Sequence, residues 1–155
     1  MLKKLRRAAT GALAVTALVT GGLLATAGSA SAAHSYDDRL YRGESLSPGE
    51  SISRLSWDPY ISGYYRYRLV MQTDGNLVQY KTNVKYGFTK VCWASNTNTG
   101  AQNHAIYQGD GNFVVYTPWG QAVWASNTMG LPGETVDINS SGVTYVGHTP
   151  ISGAC

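Results

Sequence analysis

Charge is scarce in this sequence: Asp, Glu, Lys and Arg make up only 14% of its 155 residues. Four of the twelve basic residues, Lys3, Lys4, Arg6 and Arg7, fall in the first seven positions, so residues 34–155 carry eight basic against nine acidic side chains. A remainder so close to neutral leaves no basic patch to expect, and with it neither nucleic acid nor an anionic membrane as partner. Cysteine is limited to Cys92 and Cys155, with no C-x-x-C pair, and the three histidines, His34, His104 and His148, show no ligand spacing. That excludes a metal or redox centre, and no cofactor is expected. G-x-S-x-G and H-E-x-x-H are absent, and no two carboxylates form a credible acid/base pair, so the chain is not expected to be an enzyme. Beyond the N-terminal segment no long stretch repeats its apolar residues at helical spacing.

The N-terminal segment has a character of its own. A basic start is followed by small and apolar residues from Ala8 to Ala27 and then by Gly28-Ser29-Ala30-Ser31-Ala32-Ala33. This order predicts a secretory signal peptide over residues 1–33, cut after Ala32 or Ala33. An uncleaved membrane anchor is the alternative, and the A-x-A end and low leucine content argue against it. Residues 34–155 then form one secreted domain with no membrane insertion after cleavage. Export to an oxidising compartment predicts a Cys92–Cys155 disulfide, with two free thiols as the alternative.

What the domain does contain is tyrosine, glycine and short β-branched runs punctuated by Gly, Asn, Asp and Pro. Ten of the eleven tyrosines follow Tyr36. That pattern predicts an all-β fold. Self-comparison organises it further. Residues 72–80 read QTDGNLVQY and residues 108–116 read QGDGNFVVY, 36 positions on. WASNT occurs at 93–97 and again at 124–128. A third, decayed copy is read at 137–145, DINSSGVTY, with Asp137, Asn139, Ser141, Val143 and Tyr145 at the five key offsets. Only valine and tyrosine match there.

Asp-Gly between two β runs is a turn signal. A three-residue loop Thr73-Asp74-Gly75 would end with Gly75 in the left-handed conformation, where the missing Cβ removes the steric penalty. Counting by twos then puts Val70, Gln72, Asn76, Val78 and Tyr80 on one face and Leu69, Met71 and Leu77 on the other. The second unit repeats this, with Ile106, Gln108, Asn112, Val114 and Tyr116 opposite Ala105, Tyr107, Phe113 and Val115. A two-residue loop would reverse the faces. A solvated sheet face with a repeated turn would account for Asp-Gly-Asn alone. It would not account for Gln, Val and Tyr recurring at matched offsets while the core residue changes from Leu77 to Phe113.

The pattern Gln-x-Asp-x-Asn-x-Val-x-Tyr resembles that of the bulb-type, or monocot mannose-binding, lectins. RLYRGESLSPGESI at 39–52 resembles the family's opening strand pair, and WASNT the strand that closes each unit. The resemblance covers residues 39–153 and implies a β-prism II fold of three four-stranded sheets with pseudo-threefold symmetry, Trp93 and Trp124 filling its centre. It also implies two sugar sites, Gln72, Asp74, Asn76, Val78, Tyr80 and Gln108, Asp110, Asn112, Val114, Tyr116. In each, Asp and Asn would bond the 2-hydroxyl of mannose, Gln the 3-hydroxyl and Tyr the 4-hydroxyl, with Val against the C3–C4 edge. Such a set suits vicinal hydroxyls, because a carboxylate only accepts while amides donate and accept. The third unit would be inactive.

Three features depart from the family's pattern. Residues 54–68 are long and aromatic, with Trp57, Tyr60, Tyr64, Tyr65 and Tyr67, and 81–91 is an extended connection. They suit insertions beside the first site, a homo-oligomer contact or ordinary strand residues. The third unit lacks a tryptophan near Pro150-Ile151-Ser152, and the cysteines lie away from the family's usual bridge. The expected function is a secreted lectin for mannose-type glycans. A toxin-like antagonist of other cells is the alternative the resemblance allows.

Overall fold

The computed structural model describes residues 38–100 and 102–155, so the expected signal peptide lies outside the described residues. Among the described residues there are twelve strands: β1 (Arg39–Tyr41), β2 (Ser45–Leu46), β3 (Ser51–Asp58), β4 (Gly63–Met71), β5 (Leu77–Asn83), β6 (Thr89–Ala94), β7 (His104–Tyr107), β8 (Phe113–Tyr116), β9 (Ala122–Ala125), β10 (Thr135–Ile138), β11 (Thr144–Val146) and β12 (Thr149–Pro150). They form three four-stranded sheets, in the orders β3-β4-β5-β6, β2-β7-β8-β9 and β1-β10-β11-β12. This is the β-prism II arrangement.

Each strand alternates because each sheet has one buried face. Leu69, Met71 and Leu77 of the first sheet, Ala105, Tyr107, Phe113 and Val115 of the second, and Val136, Ile138 and Val146 of the third all point into one shared core. Three sheets closing on a common core leave each with a solvent face, and the repeated polar residues lie there.

The segment 39–52, which resembles the family's opening strand pair, supplies β1 and β2, and these two strands do not pair with each other. β1 pairs with β10, and β2 pairs with β7. The opening segment thus donates one strand to each of the two later sheets, placing Leu40 and Leu46 fully in the core. Only the first sheet is built from consecutive strands. It is also the longest: β3 and β4 run together from Ser51↔Val70 to Asp58↔Gly63, and β5 and β6 continue from Lys81↔Lys90 to Thr82↔Thr89. The two unusual segments, 54–68 and 81–91, are therefore a single extension of one sheet.

Trp93 and Trp124 meet edge to face, with ring centroids 5.3 Å apart, and pack partly buried against the shared core. Thr149 lies opposite Val146 as Trp93 lies opposite Gln79 and Trp124 opposite Val115, so a threonine stands where a third tryptophan would. Ile151 packs against the core nearby. The third sheet closes by other means. Fully buried Gln79 donates from Nε2 to the Gly142 carbonyl at 2.6 Å, and its Oε1 accepts from Thr144 Oγ1 at 2.8 Å. This satisfied polar pair replaces the apolar contacts made by Val115 and Phe113 in the second sheet. The Tyr67 ring lies where a Cβ on Gly142 would be, so only glycine fits that turn. Cys92 and Cys155 are joined in a disulfide that ties the last residue to β6.

Candidate functional site

The β4–β5 and β7–β8 turns are built alike. Gln72 N–H donates to Asn76 O at 2.8 Å and Gly75 N–H to Gln72 O at 3.1 Å; the matching bonds from Gln108 and Gly111 are 2.9 and 3.0 Å. Gly75 and Gly111 have φ of 89° and 88°. This is the three-residue loop with a glycine bulge, and it puts the polar residues on the solvent face. The register places Val70 opposite Val78 and Arg68 opposite Tyr80.

Side-chain bonds then fix the polar groups. Gln72 Nε2 donates to Tyr80 Oη at 2.7 Å, and Gln108 Nε2 to Tyr116 Oη at 2.9 Å. Asp74 Oδ1 and Asp110 Oδ1 each accept from the backbone N–H two residues on, at 2.9 Å. Asn76 Oδ1 accepts from Ser95 Oγ and Thr97 N–H, both at 3.1 Å. Asn112 Oδ1 accepts from Ser126 Oγ and Thr128 N–H at 3.1 and 3.2 Å. Every internal bond therefore uses one capacity of each group and leaves another. Asp keeps one carboxylate oxygen, Asn its two N–H donors, Gln its carbonyl oxygen and Tyr its O–H. Val78 and Val114 are nearly buried beneath this set and form its floor.

These bonds also show what the repeated WASNT is for beyond closing a strand. Its Ser orients the Asn amide, and its Thr holds the turn carbonyl: Thr97 Oγ1 donates to Gly75 O and Thr128 Oγ1 to Gly111 O, each at 2.7 Å. Two braces lie outside the repeats. Buried Asn103 also donates to Gly75 O, at 2.9 Å. Arg42 reaches from the β1–β2 connection to the carbonyls of Gly109 and Gly133, at 2.8 and 2.7 Å, and supports the second turn from below. Neither carries a repeat signature. The 93–97 and 124–128 repetition was the one available signal for the Ser and Thr roles.

The third unit requires a correction. Asn139 N–H donates to Val143 O and Gly142 N–H to Asn139 O, the same two turn bonds. Asn139 therefore stands where Gln72 does, Ser141 where Asp74 does, Val143 where Asn76 does, Tyr145 where Val78 does and Gly147 where Tyr80 does. The alignment of 137–145 on valine and tyrosine is two residues out of step, and Asp137 precedes the turn within β10. Turn geometry sets the register, and the turn glycine is Gly142, with φ of 75°. None of the five repeated residue types survives at its structural position. Ile151 stands where Ser95 does, and the next residue, Ser152, takes over the side-chain bond, its Oγ accepting from Thr144 N–H as Ser95 Oγ accepts from Leu77 N–H.

A three-sheet prism with duplicated polar sites on its solvent faces defines a lectin-type β-prism architecture. No family profile matches the chain. Solved structures similar to it include the mannose-specific agglutinin from snowdrop (Galanthus nivalis) bulbs complexed with methyl-α-D-mannoside, 34% identical, with a TM-score of 0.56 over 73% of this chain and 91% of that one. A lectin from Allium sativum is 31% identical, with a TM-score of 0.55 over 74% and 96%. The curated mannose-specific lectin of Narcissus pseudonarcissus is 41% identical over 85 residues, 53% of this chain and 62% of the relative. The match thus spans less than two thirds of that curated relative's length. The chain belongs to the bulb-type, or monocot mannose-binding, lectin family.

Proposed function

We propose that this chain is a secreted lectin that binds mannose and mannose-containing glycans at two sites, Gln72–Tyr80 and Gln108–Tyr116. The observation that carries the proposal is the duplicate bonding pattern, which leaves the same four free capacities over the same valine floor in both repeats. An acceptor carboxylate beside donor amide hydrogens matches an axial 2-hydroxyl, while Gln and Tyr serve the 3- and 4-hydroxyls. In glucose the 2-hydroxyl is equatorial and leaves Asp and Asn unpaired, which disfavours it. The third unit has no carboxylate at its turn and no phenol at the last position, so it contributes no site. The disulfide supports export to an oxidising compartment.

The test is calorimetric titration with methyl α-mannoside. Asp74→Asn and Asp110→Asn each keep the turn-capping oxygen while removing the carboxylate. Each single variant should lose one of two sites, and the double variant should stay folded and bind nothing. Each wild-type site should be weak, with Kd of about 1 mM, or about −4 kcal/mol. Undiminished binding by the folded double variant would mean that the sugar sits elsewhere.

A further inference from the structure

The near-neutral charge of residues 34–155 conceals a segregation. Residues 51–94, which make the extended first sheet, carry Arg54, Arg66, Arg68, Lys81, Lys85 and Lys90 against only Asp58 and Asp74. Two of these cations lie on the same face as the first candidate sugar site. Along β4 the residues on that face are Val70, Arg68, Arg66 and Tyr64, spaced about 7 Å apart. Arg68 is opposite Tyr80, and Arg66 is opposite Thr82.

A groove of about 380 Å³ joins them to the site: Arg66, Arg68, Gln72, Tyr80, Thr82 and Thr89 all line it. Arg66 and Arg68 are exposed. Arg68 donates through Nε to Ser51 Oγ at 2.9 Å, which holds its guanidinium along the sheet. Among the described residues the nearby carboxylate, Asp38, is engaged by Arg39 and Arg54 instead. Outside the groove, farther along β4 from the sugar site than Arg66, half-exposed Trp57 and Tyr64 lie opposite each other and pair edge to face at 5.1 Å. Such rings offer apolar area with little conformational entropy to lose.

Among the described residues the second repeat has no counterpart. There His104 faces Tyr116, stacked at 6.1 Å, and β7 begins at that residue. In the third sheet Thr135 is bonded beside Gly147. The extension therefore makes the first site unlike the second.

We propose that Arg66 and Arg68 form an anion-reading subsite, so that the first repeat binds acidic mannosyl glycans whose next residue carries a carboxylate or a phosphate. This rests on the mannose reading of Gln72–Tyr80, because the sugar seated there delivers the acidic residue to the groove. Guanidinium groups favour such ligands through charge-assisted, bidentate bonds. A glycan is favoured over nucleic acid because the cations share one groove with Gln72 and Tyr80.

The experiment is a backbone NMR titration of the full, oxidised domain at low salt. Three probes are compared: neutral α-mannobiose, an α-mannosyl disaccharide with a uronate as its second residue, and one with a phosphate on that residue. Neutral mannobiose should shift the Asp74–Asn76 and Asp110–Asn112 amides at similar concentrations. At least one acidic probe should bind the first repeat roughly tenfold tighter than the second, and the two acidic arms identify the preferred group. That preference should fall with salt and approach unity in Arg66→Gln/Arg68→Gln. Equal acidic and neutral affinity at the first repeat overturns the subsite and leaves the mannose reading standing. If mannobiose moves neither repeat, the mannose reading fails, and the proposed glycan subsite falls with it. Equally tight shifts at Arg66 and Arg68 from inorganic phosphate or a short DNA would assign the groove to other anions and overturn the glycan proposal.

Discussion

Thr97→Val and Thr128→Val are the same chemical change at equivalent positions, yet they should not cost the same. Each removes a hydroxyl that donates to a buried turn carbonyl at 2.7 Å and contacts the neighbouring serine hydroxyl, at 2.8 Å from Thr97 and 2.7 Å from Thr128. The carbonyls differ in what remains. Gly75 O keeps Asn103 Nδ2 at 2.9 Å. Among the described residues Thr128 is the only donor to Gly111 O. Thr97→Val therefore gives up a net hydrogen bond, about 1 kcal/mol, whereas Thr128→Val strands a buried acceptor, about 2–3 kcal/mol. For a domain of this size the difference is about 3–8 °C in Tm. Thermal melts of the two oxidised variants, followed by near-ultraviolet circular dichroism, read it directly. Adding Asn103→Ala to Thr97→Val should bring the first turn to the cost of the second. Equal losses in the two single variants, or a larger loss in Thr97→Val, would refute the reasoning.

Two further outcomes concern the whole fold. Replacing both cysteines by serine should lower stability by about 4 kcal/mol, because the bridge closes a loop over a separation of 63 residues and the chain-entropy term grows slowly with loop length; urea titration checks this, and a loss below about 1 kcal/mol would contradict it. Burial raises the phenol pKa values of Tyr67 and Tyr107 above their ordinary range, and the Tyr107 hydroxyl also donates to Gly133 O at 3.0 Å. The folded state therefore holds these protons more tightly than the unfolded state. The contribution is complete below the ordinary phenol value, about 10, and is lost as pH rises through the raised folded values. Stability measured from pH 8 to 12 should decline above about pH 10, and less steeply in Tyr67→Phe/Tyr107→Phe; an unchanged slope in that variant would exclude these two groups.

The hairpins of the first two repeats were legible because they are local. An Asp-Gly pair demands a left-handed glycine, and the period-two pattern then assigns every neighbour to a face. Leu77, Phe113, Gln72 and Gln108 all lie where that count places them. The third repeat was misread because residue likeness outweighed turn chemistry. Val143 and Tyr145 matched by type, but Gly142, the one residue there with no Cβ to clash, sets the register two positions away. Aligning the three turns on Gly75, Gly111 and Gly142 would have found it.

Sequence alone determined the elements whose conformation depends on backbone preference and alternation within about ten residues: the strands, the bulged turns and the buried side of each sheet. Tertiary structure decided what depends on partners distant in the chain. β1 and β2 leave each other for β10 and β7 because three sheets must each be completed around one core. Ser95 and Thr97 reach Asn76 only once β6 lies beside β5. The cations of β3 to β6 gather on one sheet because two separate insertions pair in register, and Arg66 and Arg68 reach the first site's groove because strand alternation puts them on its face. Long-range pairing follows from closing the prism, a cooperative condition on the whole chain that no single segment carries.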